Sequence, residues 1–164
     1  MHTRRTFLVS STSTLVLIAT SGFALPVDAG EMRGKLALVV GKDSPVADIS
    51  LPDLKRLYLG EHINEGGQRL IPLNLVPLMR ERMGFDKAVL NMSPDAIARY
   101  WIDRKIRGDS GPPKAIDSAD LLQRVVARLD GAIGYAPIAE IRPDMKVIRV
   151  DGKSPNDSGY SIDF

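Results

Sequence analysis

Residues 92–137, MSPDAIARYWIDRKIRGDSGPPKAIDSADLLQRVVARLDGAIGYAP, constrain the fold more than any other part of the chain, because their element boundaries are marked. Ser93 stands directly before Pro94. That pair reads as an N-cap followed by proline at the first helical position, where the missing N–H leaves no bond unmade. Ile97, Tyr100, Trp101, Ile102 and Ile106 cover a wide arc of the helix, which predicts a helix wedged between a sheet and another helix. Gly108 and Gly111-Pro112-Pro113 end it and hold the chain extended. Ser118 opens the next helix, with Leu121, Leu122, Val125, Val126 and Leu129 on one stripe and Arg124 and Arg128 facing away. Asp130-Gly131 closes it, and Ala132-Ile133-Gly134-Tyr135-Ala136 predicts a short buried strand.

Upstream, Leu36-Ala37-Leu38-Val39-Val40 is a continuous apolar run ended by Gly41, the pattern of a strand buried on both faces. A polar loop, Lys42-Asp43-Ser44-Pro45, follows. Ser50 and Asp53 then have capping-box spacing ahead of a stripe of Leu51, Leu54, Leu57 and Tyr58. Residues 70–75 predict a second strand, with Pro72 suggesting an edge position or a bulge. A helix is expected over residues 78–90, weakened by about 1 kcal/mol at Gly84. Residues 146–150 predict a last strand, and the Gly/Ser/Asp/Asn-rich residues 151–164 a loosely held tail. Strands alternating with helices predict an α/β sandwich.

The order SP…YW…G…PP…(helix)…GAIGY resembles the small periplasmic proteins related to the phosphate-binding component of the bacterial phosphate ABC transporter, the PBP-like domain proteins. An earlier segment, VVGKDSPVADISLPDLKRLYLGE followed by GGQRLIPLNL, matches the same family's strand–helix–strand opening. The resemblance spans roughly residues 36–150. It implies a three-layer α/β/α sandwich like a single lobe of a periplasmic binding protein, a phosphate-like anion as ligand and an ABC permease as partner. It also exposes a departure. Full-length phosphate binders carry Arg-x-Asp-x-Ser-Gly-Thr-like residues after the corresponding strand, whereas this chain has Asn74-Leu75-Val76-Pro77-Leu78-Met79-Arg80. The hydroxyls are gone and Pro77 removes a backbone donor. If about four charge-assisted bonds are lost at ~1.5–3 kcal/mol each, binding weakens by roughly 6–12 kcal/mol.

The N-terminus reads as an export signal. Thr3-Arg4-Arg5-Thr6-Phe7-Leu8 fits the twin-arginine pattern, with an apolar segment diluted by Ser and Thr behind it. Small residues at Val27-Asp28-Ala29 set cleavage after Ala29. An ordinary secretory signal that happens to hold two arginines is the alternative. The expected organisation is therefore a signal peptide over 1–29, a domain over 30–150 and the tail. A periplasmic location follows, with no stable membrane anchor after cleavage. The longest unbroken apolar run there falls far short of the roughly 20 residues of a membrane span.

With no cysteine, a lipoprotein anchor, a disulfide framework and thiol chemistry are excluded. Cleavage would remove two of the 22 basic and one of the 20 acidic residues, leaving a net charge near +1. That balance gives no electrostatic case for nucleic acid or anionic lipid.

Catalysis is not expected, and neither a cofactor nor a metal is called for. His62, the one histidine past the signal, sits in a polar turn and reads as a surface residue. No Gly-x-Ser-x-Gly elbow, P-loop or metal-ligand spacing is present. Anion binding is the serious alternative to a purely structural part. In α/β sheets, ligands sit beyond the carboxyl ends of strands, where backbone N–H groups meet them. Those places are the loop carrying Lys42 and Ser44 and the loop from Asn74 to Arg80, with Arg80 adding charge at a helix start. Arg82 and Arg99 read as solvated helix arginines. A second function class is an interaction module docking on an envelope protein through the apolar residues 75–79.

Overall fold

The apolar run at Leu36 forms the buried strand β1 (Leu36–Gly41) of a computed structural model that describes residues 34–164. Arg4, Arg5 and the cleavage position after Ala29 lie outside the described residues. The elements that follow are β2 (Asp48–Ile49), α1 (Leu51–Tyr58), β3 (Asn64–Glu65), β4 (Gln68–Arg69) and β5 (Ile71–Leu75). Next come α2 (Arg80–Phe85), a π-helical turn (Asp86–Leu90), α3 (Pro94–Ile106), β6 (Lys114–Ile116) and α4 (Ala119–Val126). The chain ends through β7 (Ala132–Pro137), a short 3-10 turn, β8 (Met145–Val147) and β9 (Arg149–Val150).

Five strands make the central sheet in the order β6-β5-β7-β1-β8. β5 runs parallel to β6 and β7, while β1 is antiparallel to both of its neighbours. Side chains alternate across a strand, and β7 uses the alternation to bind a helix layer on each face. A Cβ on Gly134 would come within 2.3 Å of Leu122 in α4, so glycine lets that helix lie close against the sheet. Tyr135, next in line, faces the other way. Its ring stacks on Phe85 of α2 at 4.0 Å and 4°, with Tyr58 of α1 at 6.2 Å. Helices on both faces make the three-layer α/β/α arrangement expected from the sequence.

The serine caps form as read. Ser50, Ser93 and Ser118 each accept a hydrogen bond from the N–H three residues on, at 3.1–3.2 Å. Other expectations are corrected. Pro72 lies in the interior strand β5, not at an edge. The Ile71 N–H points to β7, where it bonds Gly131 O, so the missing donor of Pro72 falls on the β6 side. Pairing with β6 begins only at Leu73, and no ladder bond is lost there. α3 is not wedged between layers: Ile102 and Ile106 are 58% and 79% exposed. The strand expected over 146–150 breaks at the buried Ile148, β8 pairing with β1 and β9 with β2.

The expected loose tail is instead fastened. Asp163 pairs with Lys35 in an isolated antiparallel backbone bridge, Ile162 is buried, and Phe164 N–H donates to Gly34 O. This also gives Gly84 its reason. A Cβ there would meet the Phe164 backbone at 2.5 Å, so the helix gives up some propensity to let the chain end pack against it.

Candidate functional site

The carboxyl ends of β5, β6 and β7 share one edge of the sheet, and the chain leaving β5 builds a site there. After Leu75 the strand makes one more bond, Val76 N–H to Ile116 O, and then turns. Leu78 takes the turn with φ of 73°, an uncommon conformation for a non-glycine residue, and is 79% exposed. α2 begins two residues later. Within the first turn, Arg82 reaches back to the preceding strand: Nη1–H donates to Leu75 O at 2.9 Å. Its Nε–H donates to Asp86 Oδ2 at 2.6 Å, a nearly buried ion pair at i, i+4 spacing. The clamp ties strand end, helix and π-helical turn together through Nε–H and one Nη1–H of the guanidinium.

Asp86 opens the π-helical turn, a distortion that often marks functional positions. Its other oxygen, Oδ1, is buried and has no hydrogen-bond partner among the described residues. Burial raises the Asp86 pKa above the ordinary carboxylate range, with the Arg82 charge and hydrogen bond opposing that rise. An unmatched buried acceptor is costly unless a water or a ligand donor reaches it.

Behind the pair, β5 and β7 part after the Pro72–Ile133 register, and polar groups fill the gap. Tyr58 Oη–H donates to Leu73 O at 3.0 Å, and Tyr135 Oη–H donates to Asn74 Oδ1. In front lies a cavity of about 270 Å³, whose polar residues are Asn74, Arg82 and Asp86. Ile97 and Trp101 of α3, Pro112 and Pro113 before β6, and Leu78 make it mostly apolar.

The structure does not bring the four sequence-derived residues together. Asn74 borders the cavity, but it is buried and its carbonyl is engaged by Tyr135 and by the Leu75 N–H. Arg80 has its guanidinium over the Phe164 ring, 5.7 Å from the centroid, and is not among the cavity's residues. Lys42 and Ser44 lie at the opposite edge of the sheet. Because β1 is antiparallel to β7, with Leu36 opposite Pro137 and Val40 opposite Ile133, its carboxyl end meets the amino ends of β5 and β7. Ser44 is occupied there, its Oγ–H donating to Gln68 Oε1 at 3.2 Å and its Oγ accepting from Val46 N–H. The hollow beside it is bordered by Lys42 together with Asp43, Asp130 and the carboxyl end of α4, so one lysine faces two carboxylates and the negative end of a helix.

Sequence reasoning passed over Asp86 and set Arg82 aside. The readable signal was their spacing of four residues, a helical ion pair. His62 is a surface residue as expected, with Arg69 Nη2 2.7 Å from its Nδ1.

An ABC-type phosphate transport receptor from Vibrio cholerae aligns with a TM-score of 0.60 at 18% identity, covering 75% of this chain and 48% of the receptor. PstS from Borrelia burgdorferi aligns with a TM-score of 0.61 at 15% identity, covering 80% of this chain and 55% of that one. The fold is that of one periplasmic-binding-protein lobe. The chain thus spans about half the length of the solved structures it matches. No protein-family model matches it, and no match is found among curated proteins. At this identity the kinship is one of fold. Among the described residues of the lobe, no helix is long and apolar enough to cross a membrane.

Proposed function

We propose that this chain is an exported solute-binding lobe of the phosphate-receptor type, which takes a small phosphate-like anion at the Arg82–Asp86 end of β5 and works with an ABC permease. The carrying observation is the pairing of a nearly buried guanidinium with an unmatched buried carboxylate oxygen at the carboxyl edge of the sheet. Hydrogen phosphate suits both: its oxygens accept from Arg82, and its one O–H donates to Asp86 Oδ1. Sulfate, an acceptor throughout at neutral pH, would set oxygen against oxygen. The structural likeness to phosphate receptors supports the same ligand class.

Affinity is expected to be modest, since Arg82 is already neutralised by Asp86 and residues 75–80 bring no hydroxyl. Calorimetry on the mature protein at low salt should give a dissociation constant of roughly 0.1–1 mM for phosphate, about 4–6 kcal/mol. Sulfate should bind on the order of tenfold more weakly, from one mismatched contact of ~1–3 kcal/mol. Asp86→Asn, which presents an N–H where Oδ1 stood, should erase that preference. Heats no larger than the buffer blank for both ions would refute the reading.

A second reading, an interaction module docking on an envelope protein, is favoured by one observation. Leu78 is 79% exposed at the mouth of an apolar cavity.

A further inference from the structure

The cavity in front of Arg82 and Asp86 is poorly matched to a bare inorganic ion. Its volume of about 270 Å³ falls just below the ~300–1,000 Å³ common for drug-sized ligands, room for a small substituted ion. Its polar groups sit together at the β5 side, and the remaining surface is apolar. Charge buried against such a wall is costly unless each polar face of the ligand finds a partner, and the cavity offers an inorganic phosphate polar side chains only from Asn74, Arg82 and Asp86.

The apolar wall is also pre-set. Tyr100 and Trp101 meet edge to face at 5.1 Å. Tyr100 Oη–H and Arg104 Nη1–H both donate to Leu59 O, at 2.8 and 3.1 Å, and the Arg104 guanidinium lies 5.8 Å from the Trp101 ring centre. A Cβ on Gly60 would touch the indole at 3.1 Å, so the ring is held from behind as well. Pro112 and Pro113 line the same cavity and present rigid rings with little freedom to lose on binding.

Resting on the anion reading above, we propose that the solute is an organically substituted oxyanion, a phosphonate or phosphomonoester. Its R–PO₃H⁻ head meets Arg82 and Asp86, and its apolar group lies against Trp101 and the Pro112–Pro113 pair. The head retains one O–H for Asp86 Oδ1, and the substituent replaces water on a surface that inorganic phosphate leaves uncovered.

Phenylphosphonate and inorganic phosphate, titrated separately into the mature protein by calorimetry, test this. The pH should lie below the phosphomonoester second pKa of about 6, so that the phosphonate keeps its proton. Phenylphosphonate should bind at least about tenfold more tightly, equivalent to 1.4 kcal/mol. It should also change the emission of Trp101, the only tryptophan of the chain. Trp101→Ala should collapse the ratio of the two affinities towards one. Equal affinities in the unaltered protein, or tighter binding of inorganic phosphate, would overturn the substituted-anion proposal while leaving the phosphate-receptor reading intact. Trp101→Ala weakening both ligands by one common factor would also overturn it, since Trp101 would then merely support the fold. If neither anion binds, or if benzylammonium binds in their place, both readings fall together.

Discussion

Arg82→Met is expected to cost about 3–5 kcal/mol of folding stability, the usual consequence of stranding one member of a buried ion pair. The side chains of Arg82 and Asp86 are only 12% and 9% exposed, so solvent offers Asp86 little compensation. The variant would also lose the bond from Nη1 to Leu75 O that ties α2 to the end of β5. The pH dependence carries the diagnosis. Asp86 already has a folded-state pKa above its unfolded value, chiefly because it is buried. A raised carboxylate pKa means that the protonated form is favoured by folding, and stability is lost as pH rises through that pKa. Without Arg82 the rise is larger. The deficit of Arg82→Met should therefore be greatest near neutral pH and shrink as the solution is acidified into the carboxylate range. Adding Asp86→Leu should recover most of the loss, because an apolar pair in place of a buried ion pair is often neutral or stabilising. Denaturant melts of the single and double variants at two pH values check this. A single variant as stable as the parent at neutral pH would contradict it.

Phe85→Ala should be equally damaging, by about 3–5 kcal/mol. Phe85 is fully buried, stacks on Tyr135 at 4.0 Å and meets Tyr58 at 4.6 Å, so its removal leaves a hole where α1, α2 and β7 join. The same ring lies between Arg82 and Asp86 in sequence, so the site should loosen with the core. Ile106→Ser offers the contrast. On the exposed face of α3 it should change stability by no more than about 0.5 kcal/mol. Thermal melts of the two variants side by side would show whether the aromatic cluster has this weight.

Much of the scaffold was legible because it is written in local chemistry. The serine caps before α1, α3 and α4 each bond within their own first turn, and the apolar runs of β1 and β7 need no tertiary information to be read as buried strands. The direction of β1 was not legible. Nothing in Leu36-Ala37-Leu38-Val39-Val40 says that it runs against β7, and that single reversal sends Lys42 and Ser44 to the far edge from Asn74 and Arg80. The exposure of Ile102 and Ile106 was likewise hidden, because periodicity records which residues share a helix face and not what covers it. Choosing Arg82 over Arg80 depended on where the helix starts. The turn through Leu78 and the widened turn at Asp86 set Arg82 against the strand end, while Arg80 goes to Phe164 at the chain terminus.

Amide chemical-shift mapping during a phosphate titration tests most directly that the ligand end of the sheet is the carboxyl edge of β5. The largest shifts should fall on Leu75, the α2 amides around Arg82, and Asp86, with Trp101 responding and Lys42, Ser44 and Gly131 silent. Saturable shifts centred on Lys42, Ser44 and Gly131, with residues 75–86 unmoved, would contradict it.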